Sequence, residues 1–167
     1  MMTEPALARS RTVRAALAGF GLVAGYAVVG ALQILVWNPL AAVPGATLAE
    51  IRAQMAGAHE YAGTPLVVAW ALTGILLGAG VLVAALRRKI SAAGATTLSL
   101  LFIVLGAPSL MVASFPSGIG LADTFGISGR DHAPWGGVLY LASAAALLLL
   151  VLFRVRNHPR PTPMSLE

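Results

Sequence analysis

The sequence predicts an all-α integral membrane protein: a four-transmembrane-helix antiparallel bundle with a short extracytoplasmic amphipathic helix. Two observations carry this fold class and a third orients it. Charged residues make up 10% of the 167 positions and hydrophobic ones 58%, whereas about a quarter of a soluble domain is charged. The apolar residues gather into four runs, each at or beyond the ~18 residues that mark a spanning helix. The basic residues flank those runs in short clusters, which is the pattern of topology determinants.

Residues 1–14 form a polar lead-in with Arg9, Arg11 and Arg14. The first span, residues 15–37, is longer than a signal-peptide core of about 7–15 residues and lacks a small-residue cleavage site, so it reads as uncleaved. Trp37 closes it at the interface, with Asn38-Pro39 as the breaker. The connection at residues 38–64 contains Pro44-Gly45 and then a helix signal. Thr47 and Glu50 fit a capping box. Leu48, Ile51, Met55, Ala58 and Ala62 share one side at ~100° per residue, giving an amphipathic helix that lies on the membrane or caps the bundle.

The second span covers residues 65–86, with Pro65 in its tolerated first turn. Arg87-Arg88-Lys89 turns the chain directly into the third span, residues 90–114, where Pro108 leaves the Val104 carbonyl without its helical donor. Residues 115–134 form the second long connection, and the fourth span runs over 135–153. The tail, residues 154–167, is basic and proline-rich. Placing both termini and the Arg87–Lys89 turn together puts nine of the eleven Lys/Arg on one side, leaving Arg52 and Arg130 on the other. The positive-inside rule then makes this a multi-pass protein of the cytoplasmic membrane, both termini cytoplasmic and both long connections outside. Arginine outnumbers lysine ten to one, which hints at a GC-rich bacterial source.

Several function classes drop out. With no cysteine, thiol redox chemistry and thiolate metal sites are excluded. The spans as drawn hold no ionisable residue, Gln33 being their most polar side chain, so a proton-coupled exporter lacks its carboxylate. A haem bundle lacks inward histidines, since His59, His132 and His158 lie in connections or the tail. The net charge of +5 is clustered at helix ends, so no nucleic-acid partner is expected.

The polar chemistry concentrates in residues 115–135, FPSGIGLADTFGISGRDHAPW. Its carboxylates and histidine, with those of the first long connection, define a candidate ligand site of His59, Asp123, Arg130, Asp131 and His132. Imidazole and carboxylate suit a divalent metal, but no spacing here matches a zinc signature. No other cofactor is expected. Gly126-Ile127-Ser128-Gly129 resembles the G-x-S-G pattern of rhomboid proteases over those four residues. That resemblance implies a histidine on another spanning helix, which this sequence does not supply. Each polar residue also has a structural role to hand: Asp131 as cap of the fourth span, Ser128-Gly129 as turn, Trp37, Trp135 and Tyr140 as interface anchors. Gly21-x-x-x-Gly25 and Gly74-x-x-x-Gly78 allow close helix packing, within the chain or against another.

The expected function is a non-enzymatic accessory or scaffold subunit, its partners the lipid bilayer and a membrane protein or second copy met through the outer cap or glycine-lined helices. The alternative is an extracytoplasmic metal- or small-ligand-binding protein, or an enzyme, using the His and Asp residues of the two connections.

Overall fold

A computed structural model describes residues 4–156 and is helical throughout its long elements. The tail beyond Arg156, with His158 and Arg160, lies outside the described residues. Helix α1 runs over Glu4–Leu32, passes through a π-helical turn at Gln33–Trp37, and ends in a last α-helical turn, α2, at Asn38–Ala42. Then come α3 (Leu48–Gly57), α4 (Thr64–Leu86), α5 (Ala92–Phe125) and α6 (Trp135–Arg156). Four helices are long and apolar enough to cross a membrane: Leu7–Ala42, Thr64–Leu86, Ala92–Phe125 and Trp135–Arg156. Large apolar side chains such as Leu76, Leu141 and Val155 remain exposed on their outer faces.

The helices run past the expected limits, α1 starting at Glu4 rather than residue 15 and α6 continuing to Arg156 rather than 153, and two further boundaries differ. Asn38-Pro39 does not break the first span; Pro39 falls in the first turn of α2, a position that tolerates proline. Residues 115–125, expected as connection, extend α5 through both Pro108 and Pro116. Burial explains the extension, since Ser117, Gly120 and Leu121 pack inward at helical spacing. At ~1.5 Å per residue, the 34 residues of α5 span about 50 Å, well beyond the ~30 Å of a bilayer's apolar layer. Its last turns form the post on which α3 packs.

The shorter elements match their signals. Thr47 and Glu50 form the capping box of α3, the Thr47 N–H donating to Glu50 Oε2 at 2.7 Å. Ile51 and Met55 are buried against Leu121, so α3 caps the post. Pro65 sits in the first turn of α4. At α5 the Ser91 hydroxyl accepts from the Gly94 N–H.

Small residues set the packing of α4 on α1. A Cβ at Gly74 would come within 3.3 Å of Ala27, and one at Gly78 within 3.3 Å of Phe20. The paired positions run in opposite order along the two helices. Gly21 and Gly25 meet nothing within 4 Å, so the expected four-glycine seam uses only its α4 half. Tyr26 ties the interior together, its hydroxyl 3.1 Å from Ser143 Oγ, which itself donates to the Ile103 carbonyl at 2.7 Å. Trp70 Nε1 donates to Ser109 Oγ at 3.0 Å, linking α4 to α5.

The two ends of the bundle differ in charge. Among the described side chains, one end carries Arg9, Arg11, Arg14, the Arg87–Lys89 link, Arg154 and Arg156. The other carries α3, the post and the 126–134 segment.

Candidate functional site

The site is built on the π-turn of α1. A π-turn bonds each N–H five residues back, as Asn38 N–H does to the Gln33 carbonyl. At 3.6 residues per α-helical turn, positions 33 and 38 would face different directions. The wider turn brings them onto one residue of the opposite segment, Ala133. Gln33 Nε2 donates to the Ala133 carbonyl at 3.3 Å, while Asn38 Oδ1 accepts from the N–H of His132 (2.6 Å) and Ala133 (3.4 Å). Gln33, Asn38 and Ala133 are all buried, so these bonds satisfy backbone groups that water does not reach. Trp37, inside the same turn, packs on Trp135 with ring centroids 5.3 Å apart at 38°. Together these contacts latch α1 to the start of α6.

Neighbouring segments complete the frame. In an uninterrupted α-helix the Leu35 carbonyl would accept from residue 39, and Pro39 has no N–H. Arg52 Nη2 donates to that carbonyl instead, at 3.3 Å, fastening α3 to the π-turn. The post receives both connections on glycines. A Cβ at Gly118 would meet the Gly129 carbonyl at 3.1 Å, and one at Gly120 would meet the Tyr61 carbonyl at 2.9 Å. The two connections thus meet on α5 as an ordered cap. The capping hydrogen bonds, first from the Thr47 backbone N–H and then from its hydroxyl, hold the Glu50 carboxyl below its ordinary value.

Between the latch and the post lies a cavity of ≈ 320 Å³. Its polar lining is Asn38, Ser114, Ser117, Asp131 and Tyr140, and its apolar walls include Ile34, Met111 and Phe115. The Asp131 carboxylate overlies Gly136, where an added Cβ would collide with it and would stand 3.4 Å from Gln33 Nε2. Asp131 Oδ2 and Gln33 Nε2 thus both approach the space that a side chain at position 136 would fill. Gln33 Oε1 is buried and has no hydrogen-bond partner. Turning the amide over would set this oxygen against the Ala133 carbonyl, so the orientation is held by the latch. An orphaned buried acceptor costs about 1–3 kcal/mol.

Of the five residues read as a ligand set, Asp131 alone lines this cavity. It does not cap α6: that helix starts at Trp135, where the Pro134 carbonyl accepts from Val138 N–H at 3.2 Å. Its charge still lies at the positive end of the α6 dipole. His132 is held through its backbone by Asn38, and its Nε2 bonds the Ser128 carbonyl at 3.0 Å. A carbonyl only accepts, so this contact keeps the proton on Nε2. His59 ends α3 at φ 62°, its N–H bonded to the Ala56 carbonyl at 3.1 Å. That is backbone work in a Schellman cap. Asp123 and Arg130 are exposed. Among the described residues, no three His, Asp or Glu side chains come together as metal ligands.

The sequence reading missed Gln33 and Asn38 as site residues. The signal was a lone amide in an apolar span and an asparagine taken for a breaker. Their five-residue spacing pointed away from a shared face until the π-turn joined them. The chain matches no protein-family model, no curated protein and no solved structure.

Proposed function

We propose that the chain is an integral membrane protein of the cytoplasmic membrane, its four long helices crossing the bilayer as an antiparallel bundle with both termini inside. The exposed apolar side chains around α4, α5 and α6 support insertion, because a water-soluble fold does not leave such faces uncovered. The concentration of basic residues at one end supports the orientation.

Within that frame its function is non-enzymatic binding of a small amine-bearing amphiphile at the latch cavity. One observation carries this reading: the Asp131 carboxylate lines the cavity together with Ser114, Ser117 and Tyr140. A carboxylate there calls for a cationic hydrogen-bond donor, which an ammonium supplies. The walls formed by Ile34, Met111 and Phe115 suit a short alkyl chain on the same ligand.

The test is a titration of the purified chain in neutral detergent with hexylammonium, read by fluorescence of the latch pair Trp37 and Trp135. Saturable binding is expected, weakened by about tenfold or more in Asp131→Asn, since a charge-assisted hydrogen bond contributes about 1.5–3 kcal/mol. Gln33→Leu orphans the buried Ala133 carbonyl and should destabilise the unliganded fold by about 1–3 kcal/mol while leaving the Asp131 carboxylate in place. Binding that ignores Asp131→Asn sinks the reading.

A second reading, an accessory or scaffold subunit, is favoured by the unpacked Gly21 and Gly25. They line an apolar groove of ≈ 500 Å³ with Ala142, Ala145 and Ala146 of α6, open to a helix from a membrane protein or a second copy. The same variants separate the two readings. A scaffold is indifferent to Asp131→Asn and loses its partner when Gly21 and Gly25 become leucine.

A further inference from the structure

The basic end contains a cleft of ≈ 730 Å³ between the first turns of α1 and the link from α4 to α5. Two arginines, Arg9 and Arg88, line it from opposite sides, with the hydroxyls of Ser10 and Thr12 beside Arg9. Its apolar floor includes Leu86 and Ile90, the last residue of α4 and the approach to α5. Among the described side chains, the acidic ones, Glu50, Glu60, Asp123 and Asp131, belong to the opposite end.

The backbone at Arg88 adopts φ 58°, with its N–H on the Ala85 carbonyl at 3.0 Å and the Lys89 N–H on the Ala84 carbonyl at 2.9 Å. This is a Schellman cap, in which the left-handed position is ordinarily glycine. His59 fills the same position in the cap of α3, so the conformation alone marks a turn, and the weight falls on where the Arg88 side chain goes. What it achieves is to set a guanidinium across the cleft from Arg9.

We propose that this cleft binds the phosphate of an anionic phospholipid. Arginine presents a planar fork matched to phosphate oxygens, and two forks facing one space suit a tetrahedral anion. The Ser10 hydroxyl, whose oxygen accepts from Arg14 Nη2 at 2.8 Å, keeps its own proton to donate. The floor toward Leu86 receives the start of the acyl chains, which a free phosphate would leave uncovered. Basic pockets at the ends of membrane helices recognise anionic headgroups in this way.

The experiment titrates the full chain in neutral detergent with dihexanoyl phosphatidylglycerol, with dihexanoyl phosphatidylcholine and inorganic phosphate as parallel arms. Phosphatidylglycerol should bind in preference to both. The double variant R9Q/R88Q should weaken it by about tenfold or more, whereas R154Q/R156Q, equal in charge and outside the cleft, should change it by less than about threefold. Arg88→Gly relieves the backbone and removes the guanidinium, so it should bind less while folding at least as well. Equal losses in both double variants would show diffuse attraction and overturn the proposal, as would equal binding of the two lipids. Inorganic phosphate binding as tightly as phosphatidylglycerol would overturn the lipid assignment.

Discussion

The two ends of this bundle close their helices by opposite means. At the α3 end, closure is long-range: Gln33 and Asn38 of the first span hold the backbone of Ala133, about a hundred residues away, and Arg52 serves a carbonyl that Pro39 cannot. At the basic end, closure is local. Ser91 caps α5, and the turn at Arg88 satisfies the last carbonyls of α4 within six residues. The difference teaches where single substitutions matter. A long-range latch has no substitute when one partner is removed, whereas a local cap is already satisfied by backbone and asks little of its side chains.

The largest expected effect is therefore Asn38→Ala. It orphans two buried N–H groups, of His132 and Ala133, and should destabilise the fold by about 2–4 kcal/mol. Hydrogen exchange at those two amides should rise together with the loss of thermal stability in detergent. Unchanged protection there would mean that the latch does not hold the α3 end.

Next come the two residues held at positive φ, one at each end. Arg88→Gly and His59→Gly should each stabilise the fold by about 1 kcal/mol, because glycine reaches this conformation without a Cβ penalty. Equal gains would confirm that both ends share the same cap and that the difference between them lies in the latch. A loss at His59 alone would give its side chain a role beyond the turn.

The smallest effect concerns Glu50. Its carboxyl is held below the ordinary value by the Thr47 backbone N–H and then its hydroxyl. A depressed folded-state value adds stability above the unfolded-state value, and that contribution is lost as pH falls through the folded-state one. The α3 cap should therefore loosen in acid, read as faster amide exchange in Leu48–Gly57, and Glu50→Gln should abolish this pH dependence. A pH profile unchanged by that substitution would remove Glu50 from the cap.

Much of this was legible from the residues. The apolar runs, the capping box at Thr47 and Glu50, Pro65 in its first turn and the basic link all report local physics that the chain states within a few positions. The elements that went unread are those where a neighbour overrides a local signal. Pro39 and Pro116 are strong breakers in isolation, and both are absorbed, Pro39 in the first turn after the π-turn and Pro116 beneath the packing of Ser117, Gly120 and Leu121. The polar stretch at residues 115–135 suggested a convergent set, yet both Asp123 and Asp131 are exposed and Asp131 alone of the set lines the cavity.

By itself, the sequence determined four long apolar helices, their approximate limits, the gathering of positive charge at one end and the exclusion of thiol chemistry. These follow from composition and period, which need no partner to be expressed. Only the tertiary structure decided that positions 33 and 38 act together, that Gly74 and Gly78 are packed while Gly21 and Gly25 are open, and that Asp131 rather than a histidine lines the cavity. Each of those depends on which faces meet across the bundle. A π-turn shifts such faces by one residue, and no periodicity in the sequence announces it.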